Sequence, residues 1–268
     1  MKIWTSLFLS LFSLNSFAYV FTQDFSKGFY WQAFPVRMII TGNDFTGYLP
    51  QVAGMAMKTW EDNSVVGKNI WDISNVSQVN SIQWSSSPSD FQGLDMGQTL
   101  AIAIRYNQVP YVIKAQIFLN KTHSNFNGSN AKLNLYKVLV HELGHTLGLD
   151  HNSATPSIMA PYLNTWENYF CDQNNYSSCL VNYLSTDDVS GSNAAFNGHL
   201  QRQAVGYTFA LEGETVEQKG IAACGTIAMV GDNNDQGGGP ASFIVSLSFG
   251  LVLIALMKKL KNNPLFRI

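Results

Sequence analysis

Eleven consecutive residues, His141 to His151, read HELGHTLGLDH; they hold three of the chain's five histidines and set a glutamate directly after the first. On a helix, His141 and His145 stand one above the other on the same face, because residues four apart nearly close a turn. Two imidazoles so placed can reach one ion. Zinc is the ion expected, since its catalytic sites take three protein ligands and leave one position open. Gly148 can adopt a positive φ, end the helix and swing the chain so that His151 returns as the third ligand. Glu142 points roughly 100° away around the helix, off the ligand direction but within reach of a water at the open position. It is the candidate general base and acid, and the chemistry expected of such a set is attack of activated water on a carbonyl. The five-residue H-E-x-x-H pattern is common, but every position of the extension to G-x-x-H has a geometric task, which makes the set specific.

These side chains need a helix to carry them and something for that helix to rest on. The segment AKLNLYKVLVHELGHTLG puts Leu135, Val138, Leu139 and Leu143 on an apolar stripe and closes at Gly148. In YLPQVAGMAMKTW, Leu49, Val52, Ala53, Ala56 and Trp60 recur at helical spacing, which predicts a second amphipathic helix whose natural partner is a sheet. Strands are predicted at VRMIITG, SIQWS, TLAIAIRY and YVIKAQIFLN. A last helix is expected near STDDVSGSNAAF, where Asp187 and Asp188 suit the N-terminal dipole. A run of strands, then the histidine helix, then a loop-rich half with one more helix reads as α+β, without internal repeats.

The stretch HELGHTLGLDH followed by SIMAPY resembles the metzincin metallopeptidases, and in particular the matrixins; the resemblance extends over roughly Val36 to Phe196. It implies a zincin-like catalytic domain: a twisted mixed sheet, an active-site helix, a second helix packed on the sheet and a C-terminal helix. It implies one catalytic Zn2+ on His141, His145 and His151, with Met159 as the Met-turn residue beneath it. It further implies that Pro161 and Tyr162 wall the substrate pocket, that Lys137 sits where pocket depth is set, and that a peptide adds antiparallel to the strand KAQIFLN as to a sheet edge. Lys137 reads equally well as a solvated helix residue. By the same resemblance Asp188 hydrogen-bonds the Met-turn and Asp187 meets the mature N-terminal amine, although helix capping accounts for both. Two features depart from the family. Asn152 stands where matrixins carry Ser or Thr, and with only His123 and His199 left over the family's second, structural zinc cannot be built in its usual way. Loop Ca2+ stays open.

The rest of the sequence concerns location and partners. A net charge of -2 leaves no electrostatic footprint for nucleic acid, and 46% hydrophobic residues suffice for one well-filled core. Residues 1–18 have the pattern of a signal peptide, with Ser16 and Ala18 before the expected cut. The catalytic domain is then expected at 19–198 and a Gly-rich extension at 199–240. The uncharged stretch 241–257 is a candidate transmembrane segment, and the basic tail 258–268 would keep to the cytoplasmic side. Glycines, apolar stretch and basic tail together also resemble bacterial sorting signals, so that the tail is either retained as an anchor or removed. The expected partners are a protein or peptide substrate and a membrane, with the chain as a monomer. Of three cysteines, Cys171 and Cys179 flank a polar loop that a disulfide would pin, and Cys224 is left to pair between chains, take a lipid or stay free. No cysteine-bearing propeptide motif precedes the domain, so latency through a cysteine switch is not expected. The rival to a peptidase is a surface module whose zinc is structural and whose groove only holds peptide.

Overall fold

In the computed structural model, the residues described are 19–64, 69–75, 79–152, 157–162, 184–206 and 222–224, the last three by their backbone. The chain divides into two units, Met1–Val230 and Gly231–Ile268, and every described residue belongs to the first. The expected signal peptide, Cys171, Cys179 and the apolar stretch 241–257 lie outside the described residues. Among the described residues no helix is long and apolar enough to cross a membrane.

The elements in chain order are α1 (Gln23–Ser26), β1 (Tyr30–Trp31), β2 (Val36–Thr41), α2 (Leu49–Asn63), β3 (Trp71–Ile73), β4 (Ser81–Ser85), β5 (Ala101–Gln108), β6 (Tyr111–Asn120), α3 (Ala131–Leu147), α4 (Thr186–Val205) and β7 (Ala222–Cys224). One sheet runs β3-β2-β4-β6-β5-β7, and β1 pairs with the first part of β6. Strands β3, β2, β4 and β6 are parallel, as crossovers of helix and long loop allow. β5 is antiparallel to β6, from which only Val109 and Pro110 separate it. The fold is α+β and metzincin-like, with α2, α3 and α4 as the three expected helices.

Strand β5 shows how the sheet receives the histidine helix. Its small residues Ala101 and Ala103 belong to the main core, where α2 and α3 pack, while Ile102 and Ile104 turn to the other face and join Phe91 and Phe118 in a second, smaller cluster. Alternation of small and large side chains lets α3 lie close over this end of the sheet while the bulk is buried behind it.

Helix α3 is central rather than amphipathic in its surroundings. Fifteen of its seventeen residues are buried, including His141, Glu142 and His145. Three tryptophans fix it by hydrogen bonds as well as by packing. Trp60 Nε1 of α2 donates to the Val140 carbonyl at 2.8 Å, Trp31 Nε1 of β1 to the Thr146 carbonyl at 2.9 Å, and Trp71 Nε1 of β3 to Thr146 Oγ1 at 3.0 Å. Tyr136 adds a 2.6 Å bond between its hydroxyl and Thr59 Oγ1 of α2. Each large ring buried here contributes area as well as a satisfied polar tip.

Candidate metal centre

Gly148 ends α3 at φ 115°, in the left-handed region where a side chain is strained. The turn it makes is held from outside by the N-terminal segment: Thr22 N–H donates to the Gly148 carbonyl at 2.9 Å, and Asp150 N–H donates to the Val20 carbonyl at 2.8 Å. Thr22 and Asp24 in turn bond Arg105, a buried cation on β5, so that strand, N-terminal segment and helix exit form one piece. That clamp is invisible in the sequence, since Asp24 and Arg105 are 81 residues apart.

The three histidines converge. One ring nitrogen from each of His141, His145 and His151 lies within 4.8 Å of the others. His141 Nδ1 lies 2.7 Å from the Ile158 carbonyl and His145 Nδ1 lies 2.8 Å from the Leu149 carbonyl. A carbonyl can only accept, so in each ring Nδ1 carries the proton and Nε2 is a bare lone pair. The two Nε2 atoms are 2.9 Å apart, and His151 Nε2 is buried without a hydrogen-bond partner. Three neutral nitrogens whose lone pairs meet at one point repel one another unless a cation stands between them, so the donor set fits a divalent ion of zinc type. Burial pushes all three imidazoles below their ordinary pKa, and in His141 and His145 the neighbouring histidines add to it; this keeps them in the neutral, ligating form.

Glu142 follows His141 on α3. It is fully buried, and neither carboxylate oxygen has a hydrogen-bond partner. Burial pushes its carboxyl well above the usual range; the Ala103 amide of β5 faces it and opposes the shift, without reaching hydrogen-bond geometry. A buried carboxylate with nothing to bind is costly to a fold, and its persistence here is understandable if water or substrate completes it.

Met159, expected as the Met-turn residue, packs against Gly144 of α3. A Cβ added to Gly144 would come within 2.5 Å of Met159 Sδ and 3.0 Å of the Trp60 ring, so the glycine of HELGH is what admits both. The Met-turn hangs on α4: Asp188 accepts from Ser157 Oγ at 2.6 Å and from Ile158 N–H at 3.0 Å, and forms the capping box of α4 with Ser185. Ile158 thus takes its position from Asp188 and offers its carbonyl to His141, linking the C-terminal helix to a candidate ligand in two steps. Asn152 lies 4% exposed; its N–H donates to the Met159 carbonyl at 2.9 Å and its Nδ2 to Asp187 Oδ2 at 2.6 Å. The residue that departs from the family pattern therefore ties the third histidine's loop to both the Met-turn and α4.

Other expected residues fare differently. Lys137, one turn before His141, is buried and not solvated. Pro161 and Tyr162 are half-buried after the Met-turn, with residues 163–183 outside the described set. His199 donates to the Leu147 carbonyl and accepts from Trp31 N–H, and His123 caps a short turn by accepting from Asn125 N–H. The expectation that KAQIFLN forms a sheet edge is corrected: β6 is flanked by β4 and β1 on one side and β5 on the other. The strand beyond it is β5, which the antiparallel return at Pro110 carries outward. Alternation alone marked both as strands and could not order them.

A mostly parallel sheet, a buried histidine helix and three converging imidazoles define a metzincin-like fold with a candidate metal centre. The chain belongs to the matrixin family, whose model matches residues 50–193, more than half its length. It is 39% identical over 70 residues to macrophage metalloelastase of Oryctolagus cuniculus, covering 26% of this chain and 13% of that protein. It is 32% identical over 78 residues to "Putative matrix metalloproteinase" of Spodoptera frugiperda ascovirus 1a, covering 29% and 18%. The matches thus span less than a fifth of either relative's length.

Proposed function

We infer that the chain is a zinc-dependent endopeptidase acting on peptides or proteins outside the cytoplasm. The observation that carries this reading is the pairing of three converging imidazole nitrogens with a buried, unpartnered carboxylate at Glu142. His141, His145 and His151 would hold the zinc, which when bound supplies Lewis-acid chemistry, acidifying water and polarising a carbonyl. Glu142 takes the proton of the attacking water as its oxygen forms the new bond to the scissile carbon. The same carboxyl then gives that proton to the amide nitrogen as the C–N bond breaks, leaving a carboxylate and an amine. Its raised pKa suits both halves of this exchange. Substrate would lie extended along the outer edge of β5, whose Ala103 faces Glu142, and gain main-chain hydrogen bonds there.

The family match supports the peptidase class, and the leader-like residues 1–18 with the apolar stretch 241–257 support export and a membrane tether. The test is Glu142→Ala. Zinc content by atomic absorption should be unchanged, while cleavage of an unstructured protein such as casein falls by at least about a hundredfold, the lower end of what a general base contributes. Cleavage at the original rate would remove Glu142 from the mechanism.

A further inference from the structure

The outer edge of β5 is already taken in this chain. Strand β7, residues Ala222–Cys224, pairs with it antiparallel, in the register Ala103↔Cys224, Ile104↔Ala223 and Arg105↔Ala222. Three features set this strand apart from the rest of the sheet. It comes from beyond residue 193, where the match to the matrixin family stops. It follows the last helix of the domain, after every other strand of the sheet. Its register takes in Ala103, the residue of β5 whose amide is turned to Glu142. An antiparallel strand on an open sheet edge gains its main-chain hydrogen bonds whatever its side chains, which is how extended peptides bind such edges.

We propose that the segment around residues 222–224 is an intramolecular ligand of the peptide-binding edge, so that an incoming peptide must displace the chain's own C-terminal extension. The pairing itself stands on the strand register; its meaning as a block rests on the peptidase reading above. A tethered segment competes at an effective concentration of order millimolar, enough to outcompete dilute peptide without any strong contact. The device differs from a metal-directed block: it needs only backbone hydrogen bonds on the sheet edge. Cutting or loosening the extension anywhere between α4 and β7 would open the edge, which couples the domain's availability to the state of its C-terminal region.

The test uses the full chain and the double substitution Ala222→Pro/Ala223→Pro. Successive residues of a strand point their N–H groups to opposite edges, so two prolines remove whichever one faces β5. The first readout is binding of a fluorescent peptide copying residues 219–228 with serine at the position of Cys224, measured in the Glu142→Ala background so that nothing is cleaved. Binding about tenfold tighter to the proline variant than to the parent is expected; equal affinity overturns the proposal. The second is amide hydrogen exchange: β5 amides of Ala103–Arg105 that face outward should exchange at least about tenfold faster in the proline variant, and unchanged protection would show the edge was never covered. Ala222→Val/Ala223→Thr, which keeps the N–H groups, should behave as the parent in both, and if it opens the edge the backbone is not what holds it. With Glu142 restored, the prolines should lower the KM of an added peptide substrate about tenfold and leave kcat unchanged. If neither protein cleaves, the peptidase reading fails while binding and exchange still decide the occupancy of the edge.

Discussion

Single residues at the candidate metal centre are constrained by what stands behind them. Gly144 illustrates this: between His141 and His145 there is room for a hydrogen and nothing else, because Met159 and Trp60 close in on it. Gly144→Ala is expected to force Met159 off its place and cost about 1–3 kcal/mol, read as a lowered midpoint in urea; a variant as stable as the parent would show that the Met-turn yields freely. Asn152 is a second case. Its side chain is long enough to span from the ligand loop to Asp187, and Asn152→Ser leaves that gap open, with an expected loss of about 0.5–1.5 kcal/mol. Chemical denaturation measures it, and an unchanged midpoint would mean the bond contributes nothing net.

At the scale of elements, His141 is oriented through a helix other than its own. Asp188 at the start of α4 caps its own helix and grips the Met-turn, and through Ile158 it sets the ring of His141. Burial raises the Asp188 carboxyl above its ordinary value even against these bonds, so the fold bears a cost to hold it there. Asp188→Ala should lower stability by about 0.5–2 kcal/mol through the lost cap and weaken zinc by about 10-fold through the loosened ligand. Competition with a chromophoric chelator separates the two effects. Loss of stability with zinc affinity intact would reduce Asp188 to a capping residue.

Taken as a whole, the domain is braced by buried polar groups that bridge segments far apart in sequence, and these make its stability depend on acid. His199 of α4 lies between Trp31 and Leu147; burial, with Arg105 and Arg202 nearby, pushes its pKa down to about 3, against the Leu147 bond and Asp24. An unfolded histidine titrates near about 6.5, so between that pH and about 3 the unfolded chain binds the extra proton and the fold loses stability as pH falls. Thermal melts from pH 7 to 4 should therefore show a steeper decline for the parent than for His199→Gln, and parallel curves would contradict the assignment. Asp24 acts lower on the scale. Burial alone would raise it, but Arg105, Thr22, Asn107 and the Phe25 N–H hold it below the usual carboxylate value, so its contribution is full above the unfolded pKa and fades as pH falls through the folded one.

Local spacing determined the candidate site and most of the elements of this protein. His141, Glu142 and His145 follow from the period of a helix, His151 from a glycine that can turn it, and the strands and helices from alternation and apolar stripes, because all of these are written within a few residues of one another. Their arrangement was decided only in three dimensions. Which of β5 and β6 lies toward the edge, how Asn152 replaces the family's shorter residue, and how Asp24 finds Arg105 depend on contacts between segments that no period connects. The same holds for β7: its three residues lie in the apolar run GIAACGTIAMVG, which does not say where it will pair, and the edge of β5 offers unpaired hydrogen bonds for them to meet.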